Sequence, residues 1–63
     1  MYDTATGVSL GEKIASERRA AEMSQDELAN EAGITRGTLS NIENDRFIPS
    51  FDTLGRILDA LGY

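Results

Sequence analysis

The fold is decided by residues 24–46, which read SQDELANEAGITRGTLSNIENDR. Ser24 and Glu27 have the SxxE spacing of a capping box, which predicts the start of a helix. The apolar residues that follow end at Gly33, a residue that favours a left-handed helix terminus and a sharp turn. Thr35 is suited to cap a second helix directly afterwards. The stretch therefore predicts two short helices joined by a turn of about four residues.

Two further helices are predicted on either side of this pair. Ser9 and Glu12 form another SxxE box, which predicts a helix from about residue 10 to residue 22. Ser50 can cap a last helix that ends at Gly62. The predicted apolar stripes are Leu10, Ile14 and Ala21 in the first helix and Phe51, Leu54, Ile57, Leu58 and Leu61 in the last. No alternating strand pattern occurs, so the sequence predicts a compact all-α fold.

The composition argues against an enzyme. The chain has 63 residues, no Cys, no His and 11 acidic against 6 basic side chains, for a net charge of −5. A chain this short buries only about 60% of the surface that it exposes when unfolded, which leaves no room for a deep substrate cavity. Without Cys and His there is no thiolate, no imidazole base and no usual zinc site. We therefore expect a binding protein that folds without metal or cofactor.

The chain is predicted to be a single domain with no membrane segment. No apolar run approaches the roughly 20 residues that a spanning helix needs. Residues 1–10, MYDTATGVSL, lack the basic and apolar regions of a signal peptide. We expect a cytoplasmic protein with a mobile tail at residues 1–8 and a helix-turn-helix domain at residues 9–63.

The third predicted helix has one apolar and one polar face. Leu39 and Ile42 point one way on a helical wheel. Short polar or small residues point the other way, namely Gly37, Ser40, Asn41 and Asn44. Arg36, in the first turn, can swing outward past the helix start. Periodicity alone fits a generic corner between two helices as well as it fits a helix-turn-helix.

The amino-acid sequence of residues 23–62 resembles that of the phage-repressor and Cro-like helix-turn-helix family, also called the XRE family. The matching elements are SQ at the start of the second helix, AGI at the turn, LSNIEN at the end of the third and PSxxTLxxIxxALG in the fourth. The resemblance extends over about residues 9–62. It implies a lambda-repressor-like fold of four helices, or five where family members continue past the fourth.

The resemblance also implies DNA contacts for particular residues. In this family the third helix lies in the major groove, and Arg can grip guanine while Asn can grip adenine by paired hydrogen bonds. The residues expected to read bases are Arg36, Gly37, Ser40 and Asn41. The residues expected to hold phosphates are Gln25, Thr35, Asn44 and Arg46.

A charged pair is predicted between the first and third helices. Arg18 and Glu43 both lie beside the apolar stripes of their helices, so both should be half-buried. The family resemblance suggests that they form an ion pair with each other. Such a pair would fix the position of the third helix more than it would add net stability.

Three residues depart from the family pattern. Gly37 replaces a residue that often has a base-contacting side chain, and one interpretation is that the backbone approaches DNA closely there. Asp45 replaces a common glycine and puts a negative charge beside the predicted phosphate contacts. Glu17 stands where an apolar residue is frequent.

The expected partner is a palindromic double-stranded DNA operator bound by a homodimer. We expect a repressor rather than an activator because similar proteins mostly block promoters. Family members commonly continue into a fifth helix that helps to form the dimer. The chain is then either a DNA-binding module of a longer regulator or a compact protein that dimerises through Phe47, Ile48, Leu61 and Tyr63.

The negative charge favours an alternative function. A DNA-binding face should be basic, whereas residues 1–32 have 3 basic and 7 acidic side chains, and residues 33–49 have 2 of each. The alternative is a protein-interaction module on the same fold, such as an antitoxin or antirepressor, whose acidic helices dock a basic partner. DNA binding would then be weak or absent.

Overall fold

A computed structural model describes residues 8–63. Four helices follow one another along the chain: α1 (Leu10–Ala20), α2 (Gln25–Ala32), α3 (Arg36–Glu43) and α4 (Phe51–Ala60). Residues 8–63 contain no strand, and the all-α prediction is confirmed. The mobile tail was predicted for residues 1–8, of which 1–7 lie outside the described residues. In the part of the chain that is described, every helix is too short or too polar to cross a bilayer.

Each helix begins at the hydroxyl residue predicted to cap it. The four N-caps are Ser9, Ser24, Thr35 and Ser50. At α2, the Ser24 hydroxyl accepts from the backbone N–H of Glu27 at 3.0 Å, and the Glu27 carboxylate accepts from the backbone N–H of Ser24 at 2.8 Å. The same reciprocal box forms between Ser9 and Glu12. These caps satisfy backbone donors that the first turn of a helix leaves without partners.

Each helix is followed by a residue in the left-handed region of backbone conformation. These residues are Glu22 (φ 57°), Gly33 (φ 73°), Asp45 (φ 61°) and Gly62 (φ 95°). After α3, the N–H of Arg46 donates to the carbonyl of Asn41 at 2.8 Å, and the N–H of Asp45 donates to that of Ile42 at 3.1 Å. This is the Schellman arrangement, which satisfies the last carbonyl groups of the helix.

The predicted end of the first helix, at residue 22, is wrong by two residues. The helix ends at Ala20 because Glu22 turns the chain with a positive φ of 57°. This helix end cannot be predicted from the residue type, since glutamate rarely adopts that conformation. Ala21 consequently lies at the surface rather than in the apolar stripe.

The hydrophobic core lies where α2 packs against α3 and α4 and where α1 packs against α3. Its buried members are Ile14, Leu28, Ala29, Ala32, Leu39, Ile42 and Ile57. Four residues of the predicted stripes lie outside it: Ala21 is at the surface, and Leu10, Phe51 and Leu58 are 44%, 94% and 37% exposed. Leu10 and Phe51 are each the first residue of a helix and lie one turn before the residue that enters the core, Ile14 in α1 and Leu54 in α4.

The start of α1 lies directly against the end of α3. A Cβ atom on Gly11 would lie 2.6 Å from the carbonyl oxygen of Glu43 and would also collide with that of Ile42. The Asp45 carboxylate accepts from the N–H of Gly11 at 3.1 Å and from the hydroxyl of Ser9 at 2.7 Å. The negative charge of Asp45 is therefore bound to the N-terminus of α1, where the helix dipole favours it.

Glu17, which stands where an apolar residue was expected, joins α1 to the last described residue. The Tyr63 hydroxyl donates to the Glu17 carboxylate at 2.7 Å, and the Lys13 ammonium lies 3.2 Å from the same carboxylate. The hydrogen bond from Tyr63, together with Lys13, lowers the pKa of Glu17 below its ordinary value. The same bond raises the pKa of Tyr63. The contact therefore requires an ionised Glu17 and a protonated Tyr63, the states that both groups have at neutral pH.

Replacing two glycines by alanine should change stability in opposite directions. Gly11→Ala should lower the free energy of unfolding by about 1–3 kcal/mol, because the new methyl group meets backbone atoms that cannot move without shifting α3. Gly55→Ala should raise it by about 0.5–1 kcal/mol, because the added Cβ would meet nothing within 4 Å beyond the adjoining backbone of α4. Urea denaturation of both variants measures these changes. A neutral or stabilising Gly11→Ala would contradict the close approach of α1 and α3.

Candidate nucleic-acid interface

α2 and α3 form a helix-turn-helix with three residues between them. Gly33 makes the turn with a φ of 73°, and its neighbour Ile34 packs against the core. Thr35 begins α3, since its hydroxyl oxygen accepts from the N–H of Thr38 at 3.0 Å. The short turn brings the two helices into contact and leaves the far side of α3 uncovered.

The four predicted base-reading residues lie on the side of α3 that faces away from the core. Arg36, Gly37 and Asn41 are exposed and Ser40 is half-buried. On the opposite side of the same helix, Leu39 is buried completely. The exposed side consists of short polar side chains and one long cation, which is a composition that can contact base edges.

Packing within the chain does not require glycine at position 37. A Cβ added there would be 4.0 Å from its nearest neighbour, the Thr35 hydroxyl oxygen. Its φ lies outside the left-handed region, so an L side chain would also meet no backbone strain. Glycine at this position lowers helix stability relative to alanine, so an advantage of the missing side chain can come only from a partner that approaches this face from outside.

The predicted phosphate-binding residues have different surroundings. The Thr35 hydroxyl donates to Thr38 Oγ1 at 2.8 Å. Asn44 Nδ2 donates to the backbone carbonyl of Ser40 at 2.8 Å and so folds back on the end of α3. Arg46 is exposed immediately after α3.

The fourth of these residues, Gln25, contributes to a hydrogen-bonded cluster around Glu43. The Glu43 carboxylate accepts from Arg18 Nε at 2.8 Å, from Arg18 Nη2 at 3.2 Å and from Gln25 Nε2 at 2.9 Å. Arg18 Nη1 donates to the backbone carbonyl of Met23 at 2.9 Å. The Arg18 and Glu43 side chains are 13% and 5% exposed. The predicted partners therefore lie together, and one carboxylate at the end of α3 connects α1, the following turn and the start of α2.

Two polar contacts here involve pairings that the sequence did not indicate. Gln25 was predicted to hold phosphate, and its bond to Glu43 was not anticipated. Asp26, which no motif singles out, lies with its carboxylate 3.7 Å from Arg36 Nε. Both contacts join residues at the start of α2 to residues of α3. They cannot be predicted without knowing the angle at which the two helices cross.

The apolar residues considered for dimerisation are mostly at the surface. Phe47 is 48% exposed, Ile48 84% and Tyr63 71%, whereas Leu61 packs partly against the core. Their role in dimerisation stays a prediction.

Known proteins resemble the chain across most of its length. Residues 14–63 match the model of a family described as Helix-turn-helix. The immunity repressor protein of Bacillus phage phi105 is 36% identical over 55 residues, which are 87% of this chain and 38% of that protein. The ImmF control region 10 kDa protein of the same phage is 43% identical over 51 residues, which are 81% of this chain and 57% of that protein. The chain thus spans less than two thirds of either relative. No solved structure matches it.

Removing Glu43 should destabilise the fold strongly. Glu43→Ala leaves the buried Arg18 guanidinium without its counter-ion, which should lower the free energy of unfolding by about 3–5 kcal/mol. Joint replacement by Arg18→Met and Glu43→Leu should recover much of that loss, because no unpaired charge remains buried. Chemical denaturation measures all of these variants.

The matched control is Arg56→Ala, which breaks the Arg56–Asp52 pair between side chains that are 55% and 75% exposed. It should change stability by only about 0–0.5 kcal/mol. A Glu43→Ala effect as small as that of the control would show that the buried cluster does not hold α3 in place.

Proposed function

Because the chain belongs to the helix-turn-helix family, we propose that it is a sequence-specific DNA-binding transcriptional repressor that inserts α3 into the major groove. The observation that carries the proposal is the two-sided character of α3. Leu39 is 0% exposed on one side, while the other side is uncovered and bears Arg36 and Asn41. A helix anchored in this way can enter a groove without losing contact with the core. The domain acts by binding rather than by catalysis.

Base reading is assigned to the exposed side of α3. Arg36 can donate two hydrogen bonds to O6 and N7 of guanine, and Asn41 can pair with N6 and N7 of adenine. Ser40 supplies a hydroxyl between them. Gly37 lets the helix backbone approach the bases closely, which fits the open space around its Cα.

Phosphate binding is assigned to residues at the start of α2 and at both ends of α3. Gln25 Nε2 uses one N–H for Glu43 and keeps the other for a phosphate oxygen, beside the backbone N–H groups of the first turn. Arg46 supplies the charge after α3. Thr35 and Asn44 are the remaining members, and both contribute polar atoms at the ends of α3.

The operator is proposed to be palindromic and to bind two copies of the chain. The name of the phi105 immunity repressor supports the assignment to repression. Two copies are favoured because net charge −5 gives weak general attraction to DNA. A second set of base contacts compensates for that weakness. A protein that acts on operator DNA works in the compartment that holds the DNA, so we propose a cytoplasmic location.

Selection from a random duplex library tests the proposal. The purified protein should retain duplexes that contain two inverted half-sites about 10 base pairs apart, centre to centre. Sedimentation of the selected complex should give two chains per duplex. If no duplex binds more tightly than bulk DNA, while a basic protein partner does bind, the interaction-module function replaces the one proposed.

Base-reading and phosphate-binding variants should differ in their binding data. Arg36→Ala and Asn41→Ala should each weaken binding to the selected site by about 1–3 kcal/mol and relax preference at one base pair per half-site. Arg46→Ala should weaken binding to all duplexes about equally and reduce the salt slope by about 1, because one phosphate contact is lost. Gln25→Ala should weaken binding without changing the slope.

Fluorescence-anisotropy titrations on the selected site and its single-base variants, repeated over a salt series, measure these effects. The matched comparison is Arg56→Ala, which removes the same charge from a position in α4 where the side chain is 55% exposed. It should alter neither base preference nor affinity appreciably. If neither Arg36→Ala nor Asn41→Ala changes base preference, α3 is not the reading element.

A further inference from the structure

Asp26 and Arg36 form an ion pair across the opening between α2 and α3. Asp26 is the second residue of α2 and Arg36 is the first of α3. Asp26 Oδ1 lies 3.7 Å from Arg36 Nε. The two side chains line a shallow groove whose walls include Asn30 and Ile34. The pair therefore lies on the surface that faces DNA in the proposed function.

This pair contributes little to folding. The Arg36 and Asp26 side chains are 65% and 79% exposed, and 3.7 Å is too long for a direct hydrogen bond. Exposed pairs of this kind have a median effect near zero on stability. If the pair has an effect, that effect is on how Arg36 contacts a partner at the surface.

The closest approach to Asp26 is through Nε of the guanidinium group. Among residues 8–63, the two terminal amino groups of Arg36 donate no hydrogen bond. Those terminal groups form a planar fork that can donate to O6 and N7 of guanine. An arginine whose Nε side is already held keeps the fork free and has fewer conformations to lose when it binds.

Asp26 also brings a negative charge to the first turn of α2. That turn is the place where Gln25 and the free backbone N–H groups are proposed to meet a phosphate. The other acid of this turn, Glu27, is engaged in capping Ser24. A carboxylate at Asp26 repels phosphate there for any DNA sequence, because phosphates are spaced uniformly along a duplex.

We propose that Asp26 is a positioning residue that sets the specificity of base reading. It holds Arg36 for its guanine contact and at the same time weakens binding to duplexes that lack this contact. The inference rests on the proposed function and extends it, since it assigns the discrimination between sites to an acidic residue that need not touch a base.

The test compares Asp26→Ala with Asp52→Ala. Asp52 is a matched control because it is the second residue of α4, its side chain is 75% exposed and its carboxylate lies 3.1 Å from Arg56. Both variants lose one negative charge from the first turn of a helix, so both should shift the thermal midpoint alike. Anisotropy titrations use the selected duplex and a variant with the guanine read by Arg36 replaced.

Asp26→Ala should strengthen binding to the variant duplex, and the ratio of the two affinities should fall by about two- to fivefold, because an exposed ion pair cannot hold Arg36 more strongly than its own modest interaction allows. Asp52→Ala should leave the ratio unchanged. In the Arg36→Ala background the protein no longer distinguishes the selected duplex from the variant duplex. Adding Asp26→Ala should therefore strengthen binding to both duplexes equally. In the free protein, the Arg36 Nε–H resonance should shift in Asp26→Ala and stay in place in Asp52→Ala.

Two results overturn the inference while leaving the proposed function intact. One is specific binding by the parent protein with a ratio that Asp26→Ala does not change. The other is an Arg36 Nε–H resonance that responds equally to both variants. A parent protein that binds no duplex specifically overturns both the inference and the proposed function.

Discussion

The arrangement of the helix-turn-helix depends on one buried carboxylate. Glu43, the last residue of α3, accepts three hydrogen bonds, two from Arg18 in α1 and one from Gln25 in α2. A charged carboxylate that is only 5% exposed is unfavourable without hydrogen-bond partners. The need to keep Arg18 and Gln25 bonded to Glu43 therefore fixes α1, α2 and α3 relative to one another. Arg18 also binds the carbonyl of Met23 and so holds the turn before α2. The cluster gives the exposed face of α3 a defined direction, which a surface that reads base edges requires.

A second polar contact holds the other end of the same interface. Asp45 has a positive φ that is unfavourable for a residue with a side chain, and its carboxylate compensates by binding Ser9 and the backbone N–H of Gly11. The lack of a side chain at Gly11 allows the backbones of α1 and α3 to meet. The position of the next residue, Arg46, therefore depends on the N-terminus of α1 as well as on α3.

The charge distribution agrees with the proposed function only if DNA affinity comes mainly from contacts at the proposed site. The net charge is −5, and residues 33–49 are balanced. Several acids already have partners within the chain: Glu43 pairs with Arg18, Asp45 binds α1, and Glu27 caps α2. Asp26 remains at the surface beside Arg36. Such a protein has little general attraction to phosphate, so the proposed operator binding would depend on base contacts and on the number of copies bound.

The sequence by itself determined where the four helices start and which face of α3 is buried. Hydroxyl residues with glutamate three positions later fix helix starts through contacts within one turn, and such contacts can be read locally. It also indicated the Arg18–Glu43 pair, through wheel angles and a family resemblance. Only the tertiary structure decided which apolar residues at the helix ends are left exposed, as Phe51 is. It also decided which polar groups of different helices form hydrogen bonds with each other. Gln25 and Glu43 are 18 positions apart, and Gly11 and Asp45 are 34 apart. Their contacts depend on how the helices cross, and the packing of the whole core sets those angles.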